Sequence, residues 1–374
     1  MLALDGDEIG KWVSGEKTPK FCHQLAQYDD GSGNPDGALA YFESTRNPDG
    51  RGTHASRFSR FLGTQRPLSP SYHLQFSEAL ANFALRCVDP IVRAYHGQLI
   101  YAGGDDVVAV LPADSAVACA VALRAAFRGH APGVEGIESP SPGFLTLTFT
   151  GHQDQSRRAI PFIVPGPDAD CSVGIAMAHF KSPLQDVVRA AQAAEKRAKR
   201  SRERGGLGRS AVAVSLFKRS GEILEWGANW DDGGLALFDA ILNAMLVQEL
   251  SAKFPHRACE LLEPYRTDPA ALILEANTFA DDPEFESAFD EIVRCEFGHA
   301  LARQHGPKWP ENKELRGALT LKLTGALDGH LQELGRIKLQ AQHKLQRLTG
   351  LLSAVAFAHR ARSDDVAFET GSTP

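Results

Sequence analysis

The chain has 374 residues, of which 43% are hydrophobic and 23% charged, and a formal net charge of −6. That length suits two domains, each with its own core, and the composition is ordinary for a globular protein, while the negative balance argues against a uniformly basic nucleic-acid surface, so any RNA contact needs a local patch or partner subunits. No stretch approaches the ~20 apolar residues of a membrane span and the start lacks a basic-then-apolar leader, so a cytoplasmic location without membrane contact is expected. The six cysteines, Cys22, Cys87, Cys119, Cys171, Cys259 and Cys295, form no Cys-x-x-Cys pair, which argues against a zinc ribbon or a disulfide framework.

Leu2 to Leu4 reads as a short strand ending at Asp5-Gly6-Asp7. The segment Gly6 to Gly15 carries glycines, follows a strand and opens a helix, so its backbone N–H groups are candidates to cradle a triphosphate. Ser14 within it reads either as a phosphate or base contact or as a plain turn residue. Residues 16–70 are rich in Gly, Pro, Asp, Asn and Ser and read as an exposed insertion with one short helix near 54–62. From Tyr72 to Ala94 the apolar positions recur at helical spacing, with Pro90 placed to kink or divide the helix. Gln98 to Ala102, then Gly103-Gly104-Asp105-Asp106, then Val107 to Leu111 describe a hairpin with acidic residues at its tip.

A helix over 114–128, a Gly/Pro/Ser loop over 129–143 and a strand from Phe144 to Thr150 follow. Residues 172–178 read as a core strand. Ser182 to Arg204 reads as a helix with Ser182 as N-cap and Pro183 at its first position. Residues 211–217 and 222–226 make a strand pair around Arg219-Ser220-Gly221. This mixture suits a ferredoxin-like palm, an antiparallel sheet backed by helices on one face. Beyond Trp230 the period is helical, over Leu235–Leu250, Glu284–Arg303 and Leu315–Leu348, and Ser363 to Pro374 is expected to be a frayed tail.

Hard divalent cations prefer carboxylate oxygen, and two of them ~3.5–4 Å apart activate an attacking hydroxyl while neutralising a leaving phosphate. Two acidic strand ends side by side, one bearing Asp5 and the other Asp105 and Asp106, would make such a site. The alternative is that Asp-Gly and Gly-Asp are ordinary turn signals. Asp7 either shares the cation or caps the following helix. Neighbouring strand residues point to opposite faces, so only one of Asp105 and Asp106 is expected to reach Asp5 unless the tip is twisted. The run from Glu195 to Arg204 reads as a solvated basic helix end. His73 and His96 read as helix-boundary residues, and no Ser-His-Asp or Cys-His arrangement stands out.

Four ordered segments go further. They are Leu4-Asp5-Gly6-Asp7-Glu8-Ile9-Gly10-Lys11-Trp12-Val13-Ser14-Gly15; Ser69-Pro70-Ser71-Tyr72-His73 with its helix ending at Tyr95-His96-Gly97; the hairpin from Leu99 to Pro112; and Ser172 to Leu184, running into the basic helix. In order and spacing they resemble the large signature subunit of type III CRISPR effector complexes in its III-B (Cmr) form, whose palm is related to the GGDEF nucleotidyl cyclases. The likeness covers roughly residues 1–220; the helical remainder is similar only in position and character.

The resemblance implies an α+β fold, with a palm over residues 1–228 and an all-α domain over 229–374. It implies ATP as substrate and two Mg²⁺ or Mn²⁺ ions. Asp5, Asp105 and Asp106 would be the catalytic and metal-binding residues, and Gly6, Asp7, Ser14, Gly103, Gly104 and Lys199 the nucleotide contacts. Lys199 matches a cyclase lysine that reaches phosphate; a surface charge at the helix C-terminus is its other reading. His179 and Lys181 match the family's His-x-Lys-x-Pro-Leu position and read as structural, with substrate or subunit contact as the other option.

The implied activity is synthesis of a cyclic oligoadenylate messenger when the complex holds target RNA, with crRNA, target RNA and other subunits of the effector as partners. A non-catalytic scaffold subunit and a stand-alone cyclic mono- or dinucleotide synthase are the rivals. Family members usually carry an HD nuclease domain, a first palm and a zinc-bearing insertion ahead of this palm. None of these precedes Leu2, so the chain is expected to be a C-terminal piece or a truncated reading frame, with the acceptor ATP on the first palm.

Overall fold

The computed structural model describes residues 1–20, 28–29, 35–36, 63–141, 143–150, 157–204, 206–218, 221–265, 283–336 and 341–369. The helix expected near 54–62 and the Arg219-Ser220 turn lie outside them. The chain forms two compact units, Met1–Asp7 with Leu80–Pro374, and Glu8–Ala79.

A six-stranded sheet organises the larger unit, in the order Ile223–Asn229, Ala211–Phe217, Cys171–Met177, Leu2–Gly6, Asp106–Val110, Gln98–Gly103. Its inner part runs strand, helix, strand, strand, helix, strand along the chain, and the four strands sit in the spatial order fourth, first, third, second with every neighbour antiparallel. That is the ferredoxin-like arrangement expected of a palm. The sheet is not purely antiparallel, however. Ala211–Phe217 lies parallel to Cys171–Met177, because the connection between them passes through the helix Leu184–Lys199 and a crossover returns the chain in the same direction.

Alternation along the first strand explains how the sheet is covered. Leu2 and Leu4 pair with Ala109 and Val107 on one side and Ile175 and Val173 on the other, and all six are at most 2% exposed. The helical segment Phe83–Ala94 and the helix Ala116–Phe127 pack on these strands. Ala3 points the other way, where it meets Val187, Val188 and Ala191 of Leu184–Lys199 together with Ala176 and Val108. The expectation of helices on one face is therefore corrected: both faces are covered. Small residues permit it. A Cβ on Gly174 would sit 2.1 Å from the Ala191 carbonyl oxygen and from Glu195 N, so the helix lies directly on the strand.

The helix expected from Tyr72 to Ala94 is divided into Pro70–Asn82, a π-helical turn Phe83–Val88, and Asp89–Ala94. Pro90 falls in the first turn of the last piece. Helical residues precede it without a break, and the widened turn accommodates its missing N–H and relieves the clash of its ring with the preceding carbonyls.

A second sheet, Ile137–Ser141, Phe144–Thr150 and Arg157–Ile163, is antiparallel throughout. It replaces part of the loop expected over 129–143 and adds a strand that periodicity does not show. Its outer strands carry Pro140 and Pro161, which argue against strand when read locally but are tolerated at a sheet edge.

After Trp230 come the helices Gly233–Leu246, Phe254–Leu262, Pro283–Arg303, Lys313–Arg336 and Ala341–Glu369. The run expected from Leu315 to Leu348 is thus two helices, and the second continues past Ser363 into the expected tail. Trp226 stacks on Phe238 with ring centroids 5.1 Å apart, and a Cβ on Gly350 would lie 2.7 Å from the Glu225 carbonyl oxygen. These contacts seat the helices on the outermost strand. Among the described residues no helix is long and apolar enough to cross a membrane.

In the smaller unit, the short helix Ile9–Val13 places Trp12 against Phe76, stacked at 5.8 Å, and Phe76 stacks on Tyr72 at 6.1 Å. Glu8 bonds Lys11 and Lys17, and those two ammonium groups pull its carboxyl down to about 2.

Candidate functional site

The hairpin tip and the end of the first strand meet because of register. Leu4 pairs with Val107 and Ala3 with Val108, so Asp106 and Asp5 follow as cross-strand neighbours on the face of Ala3 and Val108. Gly103 pairs with Asp106, leaving Gly104 and Asp105 as a two-residue turn. Gly104 has φ +67, the glycine-first pattern that a type II′ hairpin turn needs. A Cβ on Gly103 would lie 2.2 Å from the hydroxyl of the exposed Tyr101 side chain, which packs over this glycine.

Asp105 belongs to the turn and escapes strand alternation. Asp105 and Asp106 both feel the charge of Asp5, so the turn sets both near it, as the expectation allowed for a twisted tip. Burial, and then the charges of Asp5 and Asp106, push the Asp105 carboxyl up to about 6. Asp106 is also raised, by burial and then by Asp5, with Lys199 acting in the opposite sense. The structure therefore brings three carboxylates together at one strand end.

Lys199 completes the group. Its ammonium is ion-paired with Asp5, donates to the Gly6 carbonyl oxygen at 3.0 Å, and lies 3.3 Å from Glu195. Burial alone would lower the lysine's pKa, but Asp5, Glu195 and Asp7 outweigh it and hold the ammonium above its ordinary value. Two expectations for this helix change. Pro183, rather than Ser182, occupies the N-cap position of Leu184–Lys199, without a side-chain cap bond. The basic run is only partly solvated: Arg197 turns inward to pair with Glu225 and donate to the Val214 carbonyl oxygen at 2.8 Å, while Lys196 and Arg200 stay exposed. Ala191, Ala194 and Ala198, all fully buried, form the stripe that seats the helix and aims Arg197 and Lys199 inward.

A second acidic centre lies beside the first. Asp7 is 7% exposed and accepts from Ser172 Oγ at 2.8 and 2.9 Å and from the Ser210 N–H at 2.8 Å. Burial raises its pKa against those bonds. Its own N–H donates to the Asp170 carbonyl oxygen at 2.8 Å. The Asp170 carboxylate accepts two bonds from Arg124, at 2.9 and 2.8 Å, and one from Ser210 Oγ at 2.8 Å. Burial would raise Asp170, but Arg124 and Ser210 hold it below the ordinary value. Arg209 and Ser210 both have left-handed backbones, with φ of 75° and 46°, a cost of ~1–3 kcal/mol each. That strain presents the Ser210 N–H and hydroxyl to the two carboxylates.

The structure thus spends Asp7 on Ser172 and Ser210. Sequence reasoning passed over Arg124, Asp170, Ser172 and Ser210. The usable signals were a serine opening an otherwise apolar strand and an arginine inside an alanine-rich helix.

The remaining candidates make local contacts. Ser14 belongs to the smaller unit, where its hydroxyl reaches the Lys11 carbonyl oxygen and Glu16. Within the same glycine-bearing segment the Lys11 N–H donates to the Glu8 carbonyl and the Ser14 N–H to that of Gly10. His179 accepts from the Lys181 N–H at 3.3 Å in the turn before Leu184–Lys199. His73 lies in the first turn of Pro70–Asn82, and His96 follows Asp89–Ala94 with φ 58, so both are helix-boundary residues.

Among the described residues no group of three or more His, Cys, Asp or Glu is arranged to hold a metal ion as the side chains stand. The donor chemistry at the strand end still fits a hard divalent cation, since it offers carboxylate oxygens and the Gly6 carbonyl. The positive charge standing among those donors here is Lys199.

The chain is similar to known proteins over its palm. The family model "Cas10/Cmr2, second palm domain" matches residues 1–208. The curated protein "CRISPR system Cmr subunit Cmr2" of Pyrococcus furiosus is 27% identical over 231 residues, 62% of this chain and 20% of that protein; the chain thus spans a fifth of its length. Two solved structures are similar at low identity. A type III-B Cmr-beta apo structure has a TM-score of 0.48 at 13% identity, covering 83% of this chain and 34% of that one. Cmr-beta bound to cognate target RNA has a TM-score of 0.45 at 14% identity, covering 87% and 39%. With more than half of its residues matched by the family model, the chain belongs to the Cas10/Cmr2 second-palm family.

Proposed function

We propose that this palm binds ATP with two Mg²⁺ or Mn²⁺ ions at Asp5, Asp105 and Asp106 and takes part in nucleotidyl transfer that yields cyclic oligoadenylates. The setting is a cytoplasmic type III-B effector with crRNA, target RNA and further subunits. The observation that carries the reading is the convergence of Asp105 and Asp106 on Asp5 in a chain of this family. The name of the Pyrococcus furiosus relative, a Cmr subunit, supports the partners.

Divalent cations bound there would lower the pKa of a ribose 3′-hydroxyl and neutralise departing pyrophosphate. The chain's own residues supply the rest. Asp5 and Asp106 come from paired strands, which fixes their separation, and Asp105 extends the set from the turn. Beside Gly103, the open space over Gly104 lets a nucleotide approach the backbone of the turn. The Gly6 carbonyl faces the same space, and Lys199 is a mobile point charge suited to a triphosphate. Asp7 acts by holding the backbone after Gly6 through Ser172 and Ser210. Transfer needs a second nucleotide, which a further palm of the complex would present.

The test is an assembled effector with target RNA, labelled ATP and Mg²⁺ or Mn²⁺, compared with Asp105→Ala/Asp106→Ala. Cyclic oligoadenylate formation should fall by at least about a hundredfold in the double variant. Equal product from both proteins would refute the role of the hairpin, and no product from the assembled wild type would favour a scaffold.

A further inference from the structure

We propose that Lys199 is the built-in counter-ion of the Asp5, Asp105 and Asp106 cluster, and that a divalent cation enters by exchange with its ammonium, which then turns to Glu195. This rests on the reading that these carboxylates hold a cation.

Three carboxylates at a partly buried strand end repel one another, and the fold sets a positive charge among them. The Lys199 ammonium holds Asp5 and the Gly6 carbonyl, two of the oxygen groups that a hard cation would use. It therefore competes for the cation's place. It also has somewhere to go. Glu195, one helical turn back, is only 8% exposed, and its Oε1 has no hydrogen-bond partner although the ammonium lies 3.3 Å away. That contact is an ion pair that lacks hydrogen-bond geometry. A small rotation of the lysine stem, away from Asp5 and toward Glu195, would satisfy it. Lysine suits such a device because its charge is compact and its stem flexible.

The predicted signature is a thermodynamic cycle on Mn²⁺ affinity, read by electron paramagnetic resonance without nucleotide. Lys199→Met should bind Mn²⁺ at least about tenfold tighter than wild type, as expected when a unit charge beside a partly buried site is removed. Lys199→Arg, which keeps the charge, should stay near wild type and shows that a change in Lys199→Met is not a folding defect. Glu195→Gln should weaken binding in the wild-type background, where it removes the ammonium's second position, and have little effect in the Lys199→Met background. Affinity no tighter in Lys199→Met, or an equal Glu195→Gln effect in both backgrounds, overturns the exchange. Asp105→Asn/Asp106→Asn separates the two readings. If it abolishes Mn²⁺ binding while Lys199→Met binds no tighter, the cation site stands and the exchange falls; if Mn²⁺ binds equally without these carboxylates, both fall.

Discussion

Two acidic centres sit side by side at one end of the palm sheet, and the fold treats them in opposite ways. Asp7 and Asp170 are answered by donors matched to them: two serines, a strained backbone N–H and a bidentate arginine that also lies over the Trp230 ring at 5.4 Å. Asp170 is held below its ordinary pKa as a result. Among the described residues Asp5, Asp105 and Asp106 have Lys199 as their cation, and Asp105 is pushed up to about 6. The same residue type is structural in one centre and available in the other, and what separates them is how completely neighbouring groups neutralise the charge. A carboxylate left short of positive charge is one that a cation can still reward.

Removing the arginine should break that contrast most strongly. Arg124→Ala leaves the Asp170 carboxylate partly buried without its fork, with an expected loss of about 3 kcal/mol in urea unfolding, part of which Asp170→Ala should restore. An unchanged midpoint would mean that the second centre is not structural.

Ser172→Ala removes one donor to an ionised acceptor and should cost about 2 kcal/mol. Mn²⁺ affinity should stay near wild type if Asp7 only supports the backbone, whereas a large drop would place Asp7 among the ligands.

The smallest effect is a slope with pH. Asp105 has a folded pKa of about 6 against an ordinary 3.8, so the folded chain binds the extra proton between those values and its stability contribution falls as pH rises from about 4 to about 6. Asp170 has the opposite sign: its contribution is present above the ordinary carboxylate pKa and is lost as pH falls through its depressed value. Denaturant unfolding in EDTA should show Asp105→Asn flattening the first slope and leaving the second. A slope unchanged by that substitution would mean that Asp105 is not crowded by its neighbours.

Much of the palm was legible in the sequence because its signals are local. Two glycines and two aspartates between β-branched runs specify a tight hairpin, the helical period before it is long, and Pro90 marks the break. The edge strands Ile137–Ser141 and Arg157–Ile163 were not legible, since Pro140 and Pro161 are disfavoured in strands generally and acceptable only at an edge that pairing defines. The inward turn of Arg197 and Lys199 was hidden for a similar reason. A run of basic residues looks solvated until Gly174 lets the helix settle on the sheet.

The sequence by itself determined the strand and helix types of the palm, the hairpin tip and the identity of the acidic residues, because turn chemistry and periodicity act over a few neighbours. Only the tertiary structure decided which carboxylates are spent and which are left underneutralised. Asp5, Asp105, Asp170, Lys199 and Ser210 are distant in the chain and meet only through strand register and helix seating, and the pKa values of Asp105, Asp170 and Lys199 are set through space by burial and by their partners.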